Sequence, residues 1–153
     1  MHQWLQRINV ITTVGGGFTG LAISLATLVS NWPQLKPLAV LLVLGFCVLC
    51  TWAICIGLLL AEGVDAGRGL TIFYVLQIPN FTTPVLSFHA GFGFMLYIGV
   101  LSNGQIIQGQ LGADWNAGLR SGDSWSFAIN LFPILLLWLL RRSNTSLERT
   151  REG

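Results

Sequence analysis

The segment that decides the fold is Leu38–Ala61, which reads LAVLLVLGFCVLCTWAICIGLLLA and contains no charged residue. The runs Leu70–Val100 and Trp125–Leu140 carry no formal charge either. The hydrocarbon core of a bilayer is about 30 Å thick, and an α-helix needs about 20 apolar residues to cross it. These runs therefore predict an integral membrane protein.

The composition agrees with this prediction. Of the 153 residues, 9% are charged and 53% are hydrophobic, whereas soluble domains contain about 25% charged residues. The formal charge of +2 is too small to indicate a nucleic-acid partner. Cys47, Cys50 and Cys55 all lie in one apolar run, so we expect them to be small packing residues. Neither a metal site nor a cofactor is predicted.

The expected fold is all-α: a four-helix transmembrane bundle with a third region that proline residues interrupt. Pro79 and Pro84 lie five residues apart in that region, and prolines at this spacing break or kink a helix. A helix over 70–78 is expected before the break, either interfacial or re-entrant, and a single kinked long helix is the alternative. The predicted spans are about 8–30, 38–61, 84–101 and 124–140, followed by a cytoplasmic tail over 143–153.

The distribution of basic residues predicts the orientation of the four spans. One side of the membrane receives Arg7, Arg68, Arg141, Arg142, Arg149 and Arg151, and the other receives only Lys36 and Arg120. Loops rich in Lys and Arg stay in the cytoplasm. Both termini are therefore expected to be cytoplasmic, in a multi-pass protein of a cell inner membrane or plasma membrane.

Polar side chains within apolar runs are candidates for function, because burying them is costly unless they are paired. The candidates are His89, Asn130, Gln77 and Asn80. His89 could act as a proton relay, a haem ligand or a metal ligand. The alternative, which we favour, is a neutral imidazole hydrogen-bonded to a neighbouring helix, for example to Asn130. Asn130 itself is expected to join helices and to satisfy the backbone near Pro133.

Small residues predict the faces on which helices pack. Gly16 and Gly20 form a GxxxG pair in the first span, and such pairs let two helices approach closely. Gly91, together with Ser87 and Gly93, forms a similar face in the third predicted span. The two faces could pack against each other.

The sequence contains no catalytic motif, so function is expected from its membrane character. The first hypothesis is a non-catalytic accessory or regulatory subunit that works by helix packing. The alternative is an oligomeric transporter or channel protomer lined by the Pro79–Pro84 break, and a second alternative is a membrane enzyme or haem protein that uses His89. The expected partners are the lipid bilayer and either a second copy or another membrane protein.

Overall fold

The computed structural model describes residues 3–102, 104–119 and 123–151, and it combines helices with a sheet. Within these ranges the helices are α1 (Gln3–Asn31), α2 (Pro37–Ala61), α3 (Gly67–Leu76) and α4 (Leu131–Arg151). The strands are β1 (Pro79–Thr82), β2 (Leu86–Leu101), β3 (Gly104–Leu119) and β4 (Ser126–Asn130). The prediction of an all-α four-helix bundle is therefore wrong.

Two long helices, α1 and α2, form a hairpin. A short 3-10 turn over Trp32–Gln34 connects them, and Pro37 occupies the first turn of α2, where its missing N–H costs nothing. Glycine allows close contact between the two helices, since a Cβ at Gly17 would lie 2.9 Å from the Cys50 carbonyl oxygen. Within the described residues, α1 and α2 are the two helices long and apolar enough to cross a membrane, by length and composition.

The helices α3 and α4 pack beside the hairpin and run in opposite directions. α3 has 10 residues, which span about 15 Å, or roughly half the thickness of a hydrocarbon core. After the sheet the chain returns to the end of α3, where the Asn130 N–H donates to the Ile78 carbonyl oxygen at 3.0 Å. Leu136 of α4 then joins the buried cluster that contains Leu5 and Leu70. α4 therefore leads back towards the level at which α3 begins.

The sheet is antiparallel and curled. β2 and β3 form a long hairpin that pairs from Leu86↔Leu119 to Leu101↔Gly104. β1 pairs with the first half of β2 on one edge and with β4 on its other edge. β4 also pairs with the last residues of β2, at Tyr97↔Asn130 and beyond. The strands β1, β4 and β2 thus close into a ring, which requires β2 to bend.

The bend of β2 lies where the sheet meets the helices. Gly93 has a φ of +79°, a conformation that glycine adopts without steric cost, and a Cβ there would lie 2.7 Å from Thr12 Cγ2. Thr12 belongs to a π-helical turn, Ile11–Gly15, that widens α1 at this level. Phe92 stacks on Phe46 of α2 with ring centroids 5.3 Å apart. The sheet therefore packs against the middle of both long helices.

The regions predicted as the third and fourth spans, 84–101 and 124–140, are the reason the all-α prediction failed. The first is β2, and the second begins as β4 and becomes helical only at Leu131. In β2, bulky residues such as Phe88 and Phe92 alternate with small or polar residues such as Ser87 and His89. This two-residue period is typical of a strand, although the mean apolarity is that of a membrane helix. The expected helix over 70–78 corresponds to α3 at Gly67–Leu76.

Candidate functional site

A cleft lined by polar side chains lies inside the curled sheet. Odd-numbered residues of β2 and even-numbered residues of β3 face it, because the two strands pair in a register that brings these positions together. Its volume is about 80 Å³. The lining residues are Asn80, His89, Tyr97, Leu101, Gln108, Gln110, Asp114, Ser126 and Ala128.

The other face of the sheet is apolar. Phe88, Ala90 and Phe92 belong to the core shared with the helices. Further along the hairpin, Ile107 and Leu111 project outwards and are 76% and 80% exposed. The sheet is thus polar inside and apolar outside, an alternation typical of strands that contact lipid on one side.

His89, Tyr97 and Asp114 form the centre of the cleft. The His89 Nε2 lies 3.3 Å from Asp114 Oδ2 and 3.2 Å from Tyr97 Oη. A carboxylate can only accept hydrogen bonds, so the tautomer assigned from these partners carries its hydrogen on Nε2. The imidazole and phenol rings also contact each other, with centroids 5.0 Å apart and planes inclined by 42°. Ring contact and hydrogen bond together fix the orientation of His89.

Burial and charge shift the ionisation of this group in opposite ways. Burial lowers the pKa of His89 below its ordinary value of 6.5, because the charged imidazolium loses hydration, while the Asp114 carboxylate raises it. Burial is the larger of the two effects, so the pKa of His89 lies below 6.5 and the imidazole is neutral at pH 7. Burial, and secondarily the negative charge of Asp114, raise the pKa of the Tyr97 phenol. Tyr97 is therefore a neutral hydrogen-bonding group and not a nucleophile.

Gly91 has a steric role in the cleft. An added Cβ would collide with Met95 Sδ and would lie 2.6 Å from Tyr97 Oη. Met95, Tyr97 and Ala128 form a small buried cluster of their own. The missing side chain at Gly91 thus leaves the space into which the Tyr97 hydroxyl reaches towards His89.

The four polar candidates predicted from the sequence all lie in or beside the sheet. Asn80 and His89 are opposite each other on β1 and β2 and both line the cleft. Gln77 directly follows α3, and Asn130 is the last residue of β4. The predicted contact between His89 and Asn130 is replaced by the contacts of His89 with Tyr97 and Asp114.

Gln77 and Asn130 occupy a gap in the hydrogen bonding of β2. Between its pairings with β1 and β4, one edge of β2 has no neighbouring strand among the residues that the structure describes. There the Phe92 N–H donates to Gln77 Oε1 and the Leu96 N–H donates to Asn130 Oδ1, both at 3.0 Å. The two amides thus take the place of backbone carbonyls, because a buried N–H without an acceptor is costly.

Asn130 also starts the last helix. Its Oδ1 accepts a second hydrogen bond from the Phe132 N–H at 3.3 Å, which is the geometry of an N-cap. Its Nδ2 is buried without a hydrogen-bond partner among the described residues. Asn130 therefore joins β2, β4 and α4 and lies outside the cleft.

The predicted packing glycines lie on the buried side of α1. Both Gly16 and Gly20 are buried. A Cβ at Gly16 would lie 2.8 Å from Phe92 Cβ, so this glycine faces the bend of β2. Gly91, the third predicted packing glycine, faces Tyr97 inside the sheet and does not meet Gly16.

The arrangement places a largely buried imidazole, a carboxylate and a phenol beside amide side chains that can bind a ligand. Among the described residues, no three His, Cys, Asp or Glu side chains come close enough to hold a metal ion. The His89 Nε2 is already engaged by Asp114 and Tyr97. The site residues Asp114, Tyr97, Gln108 and Gln110 were not among the predicted candidates, because Tyr97 falls in a predicted span and the other three fall between two predicted spans. The period-two pattern of β2 was the signal that could have placed them.

Comparison of the chain with protein-family models, with curated proteins and with solved structures finds no match in any of the three. The functional argument therefore rests on the geometry of this chain.

Proposed function

We propose that this chain is a non-catalytic accessory protein of a membrane, inserted by the hairpin of α1 and α2 and carrying the polar cleft beside it. The observation that carries the proposal is the exposure of the hairpin. Only 33% of the most apolar window of α1 and 28% of that of α2 are buried within the molecule. A core helix of a soluble protein would be mostly covered, and exposed apolar patches of this extent mark contact with lipid or protein.

The exposed residues lie along the whole length of both helices. Examples are Ile11 and Val29 on α1, at 70% and 78% exposure, and Leu41 and Val48 on α2, at 66% and 68%. The outward face of the sheet continues this surface through Leu111. Lipid is the solvent that suits such a surface.

The proposed topology has two spans with both termini in the cytoplasm. Arg7 and Arg68 lie near the same end of the hairpin, and Lys36 lies in the connection at the other end. α4 runs back towards the level of Leu70 before it reaches Arg141. This distribution fits the positive-inside rule. A reporter enzyme fused after Gly153 should be active in the cytoplasm, and activity only outside it would contradict the topology.

Insertion is tested with a matched pair of valine substitutions. Val48 faces outwards in the middle of α2, and Val64 lies in the polar connection after it, with 68% and 48% exposure. An aspartate in the centre of a spanning helix costs about 3 kcal/mol of insertion. Val48→Asp should therefore reduce the fraction of protein that resists alkaline extraction from membranes, while Val64→Asp should not. Equal extraction of both variants, or release of the wild type without detergent, would overturn the proposal.

A transport protomer is the second candidate. The observation that favours it is Asn80, since the strand between Pro79 and Pro84 contributes this amide to a polar cleft beside apolar helices. Irregular or polar backbone at membrane depth is tolerated where it lines a cavity. Reconstituted vesicles that show solute or ion flux, lost in Asn80→Leu, would favour this candidate over the accessory protein.

A further inference from the structure

Asp114 is the one carboxylate among the described side chains that line the cleft, and no Lys or Arg side chain is among them. Burial lowers the pKa of the neighbouring His89, so the imidazole adds no positive charge near neutral pH. The Asp114 side chain is 47% exposed and the His89 side chain 14%. The carboxylate is thus accessible from the cleft while the imidazole forms part of its floor. A cation is the natural occupant of such a site.

The cleft offers several hydrogen-bond acceptors around this charge. An ionised carboxylate has about four acceptor positions, and His89 uses one of those on Asp114. Tyr97, Asn80 and Gln110 also line the cleft, and their side chains carry oxygen atoms that can accept hydrogen bonds. This set of acceptors matches a ligand that has several N–H donors and a positive charge.

The size of the cleft restricts the ligand. A volume of about 80 Å³ is several times the roughly 10–15 Å³ that a cavity needs to hold one water molecule, and it is well below the roughly 300 Å³ of the smallest pockets that bind drug-sized ligands. An ammonium group with one or two carbon atoms fits this space. A larger amine could insert only its terminal group.

We propose that the cleft binds a primary ammonium group, with the Asp114 carboxylate as counter-ion and Tyr97, Asn80 and Gln110 as acceptors of its N–H bonds. The group can belong to a free small amine or to the headgroup of an ethanolamine lipid. The lipid source rests on the proposed membrane location, because the cleft can meet lipid headgroups only if the protein lies in a membrane. The free amine does not depend on that location.

The test uses the full chain in detergent and ethanolamine hydrochloride as the probe, at constant ionic strength. Ethanolamine should raise the unfolding temperature of the protein and shift the NMR signals of the His89 imidazole. Both effects should saturate over the same range of ethanolamine concentration. Asp114→Asn should weaken the affinity about tenfold or more, since a charge-assisted hydrogen bond is lost. Asp123→Asn is the matched control, because Asp123 is exposed and does not line the cleft. It should bind like the wild type.

Choline and sodium chloride distinguish a primary ammonium site from a general cation site. Choline has no N–H to donate, so neither salt should reproduce the saturable His89 shift. The proposal would be overturned if the His89 shift did not saturate with ethanolamine, or if Asp114→Asn bound ethanolamine as tightly as the wild type. It would also be overturned if choline or sodium shifted the His89 signals as much as ethanolamine does. The wild-type His89 shift keeps the test decisive if Asp114→Asn fails to fold.

Nanodiscs identify the source of the ammonium group. If the protein is more stable in phosphatidylethanolamine than in phosphatidylcholine, and this difference depends on Asp114, the ligand is the lipid headgroup. If ethanolamine binds but the two lipids stabilise the protein equally, the ligand is the free amine. Failure of this inference is distinguishable from failure of the proposed function. A chain that resists alkaline extraction but does not bind ethanolamine overturns only the ammonium site.

Discussion

The substitution Gln77→Met tests whether a side chain replaces a missing strand beside β2. Gln77 is 2% exposed. Its Oε1 accepts the Phe92 N–H at 3.0 Å, and its Nε2 donates to the Phe73 carbonyl at 3.3 Å. Methionine has a similar length but no strong acceptor, so it would leave the Phe92 N–H unpaired. An unsatisfied buried donor costs about 1–3 kcal/mol. The substitution also removes the buried polar amide of Gln77, which offsets part of this cost. The expected loss of stability is about 1–2 kcal/mol.

Thermal unfolding in detergent, followed by fluorescence of the six tryptophans, measures this loss. For a chain of this size, 1 kcal/mol corresponds to about 2–4 °C in Tm, so Gln77→Met should melt roughly 2–8 °C below the wild type. Gln108→Met is the control, because Gln108 is exposed at the cleft and should change stability by less than about 0.5 kcal/mol. Hydrogen exchange at the Phe92 amide should accelerate only in Gln77→Met. Equal melting of the two variants and unchanged exchange at Phe92 would refute the reasoning.

The remaining predictions concern packing, capping and pH. Asn130→Ala should lower stability by about 2 kcal/mol, because it removes a helix cap and the acceptor of a strand N–H; Asn130→Ala melting like wild type would contradict both roles. Gly16→Leu should lower Tm and Gly15→Leu should not, since only the first meets the sheet. The folded-state pKa of His89 lies below its ordinary 6.5, so the unfolded chain binds the proton first. Stability should therefore decrease as the pH falls below about 6.5, and His89→Gln should flatten that decrease.

The long helices are the part of the fold that the sequence predicts best. A helix needs only sustained apolarity over about 20 residues to be recognised, and Leu38–Ala61 supplies it, with Pro37 at the first turn of α2. The start of α1 at Gln3 precedes the predicted span by several residues, because amphipathic turns at a helix end do not raise hydropathy. The predicted partner of the Gly16 face was a helix containing Gly91 and Gly93. A Cβ at Gly16 would lie 2.9 Å from the Gly93 nitrogen, but Gly93 belongs to a strand. Small residues indicate close packing without indicating the secondary structure of the partner.

The sheet was missed because hydropathy does not distinguish a buried strand from a membrane helix. Leu86–Leu101 is as apolar as a span, and its alternation of bulky and small side chains is the information that separates the two. Residues 102–123 fall between the third and fourth predicted spans, and a structureless connection of that length is unusual in a compact domain. Most of this segment is β3, which carries Asp114. His89 and Asn80 were identified as candidates, but their neighbours depend on strand pairing.

The strand register provides the most direct test of this account. In the hairpin of β2 and β3, Phe94 is opposite Leu111, and paired Cα atoms in antiparallel strands lie about 4.5–5.5 Å apart, within reach of a disulfide. In a variant without Cys47, Cys50 and Cys55, the pair Phe94→Cys and Leu111→Cys should therefore cross-link rapidly under mild oxidation.

The matched control is Phe94→Cys with Ile107→Cys. Ile107 pairs with Ile98, four residues from Phe94 and thus about 13 Å away along the strand, so this pair should not cross-link. Rapid cross-linking of the first pair alone is the result that the curled sheet predicts. Failure of the first pair, or equal cross-linking of both pairs, would contradict the sheet and with it the cleft.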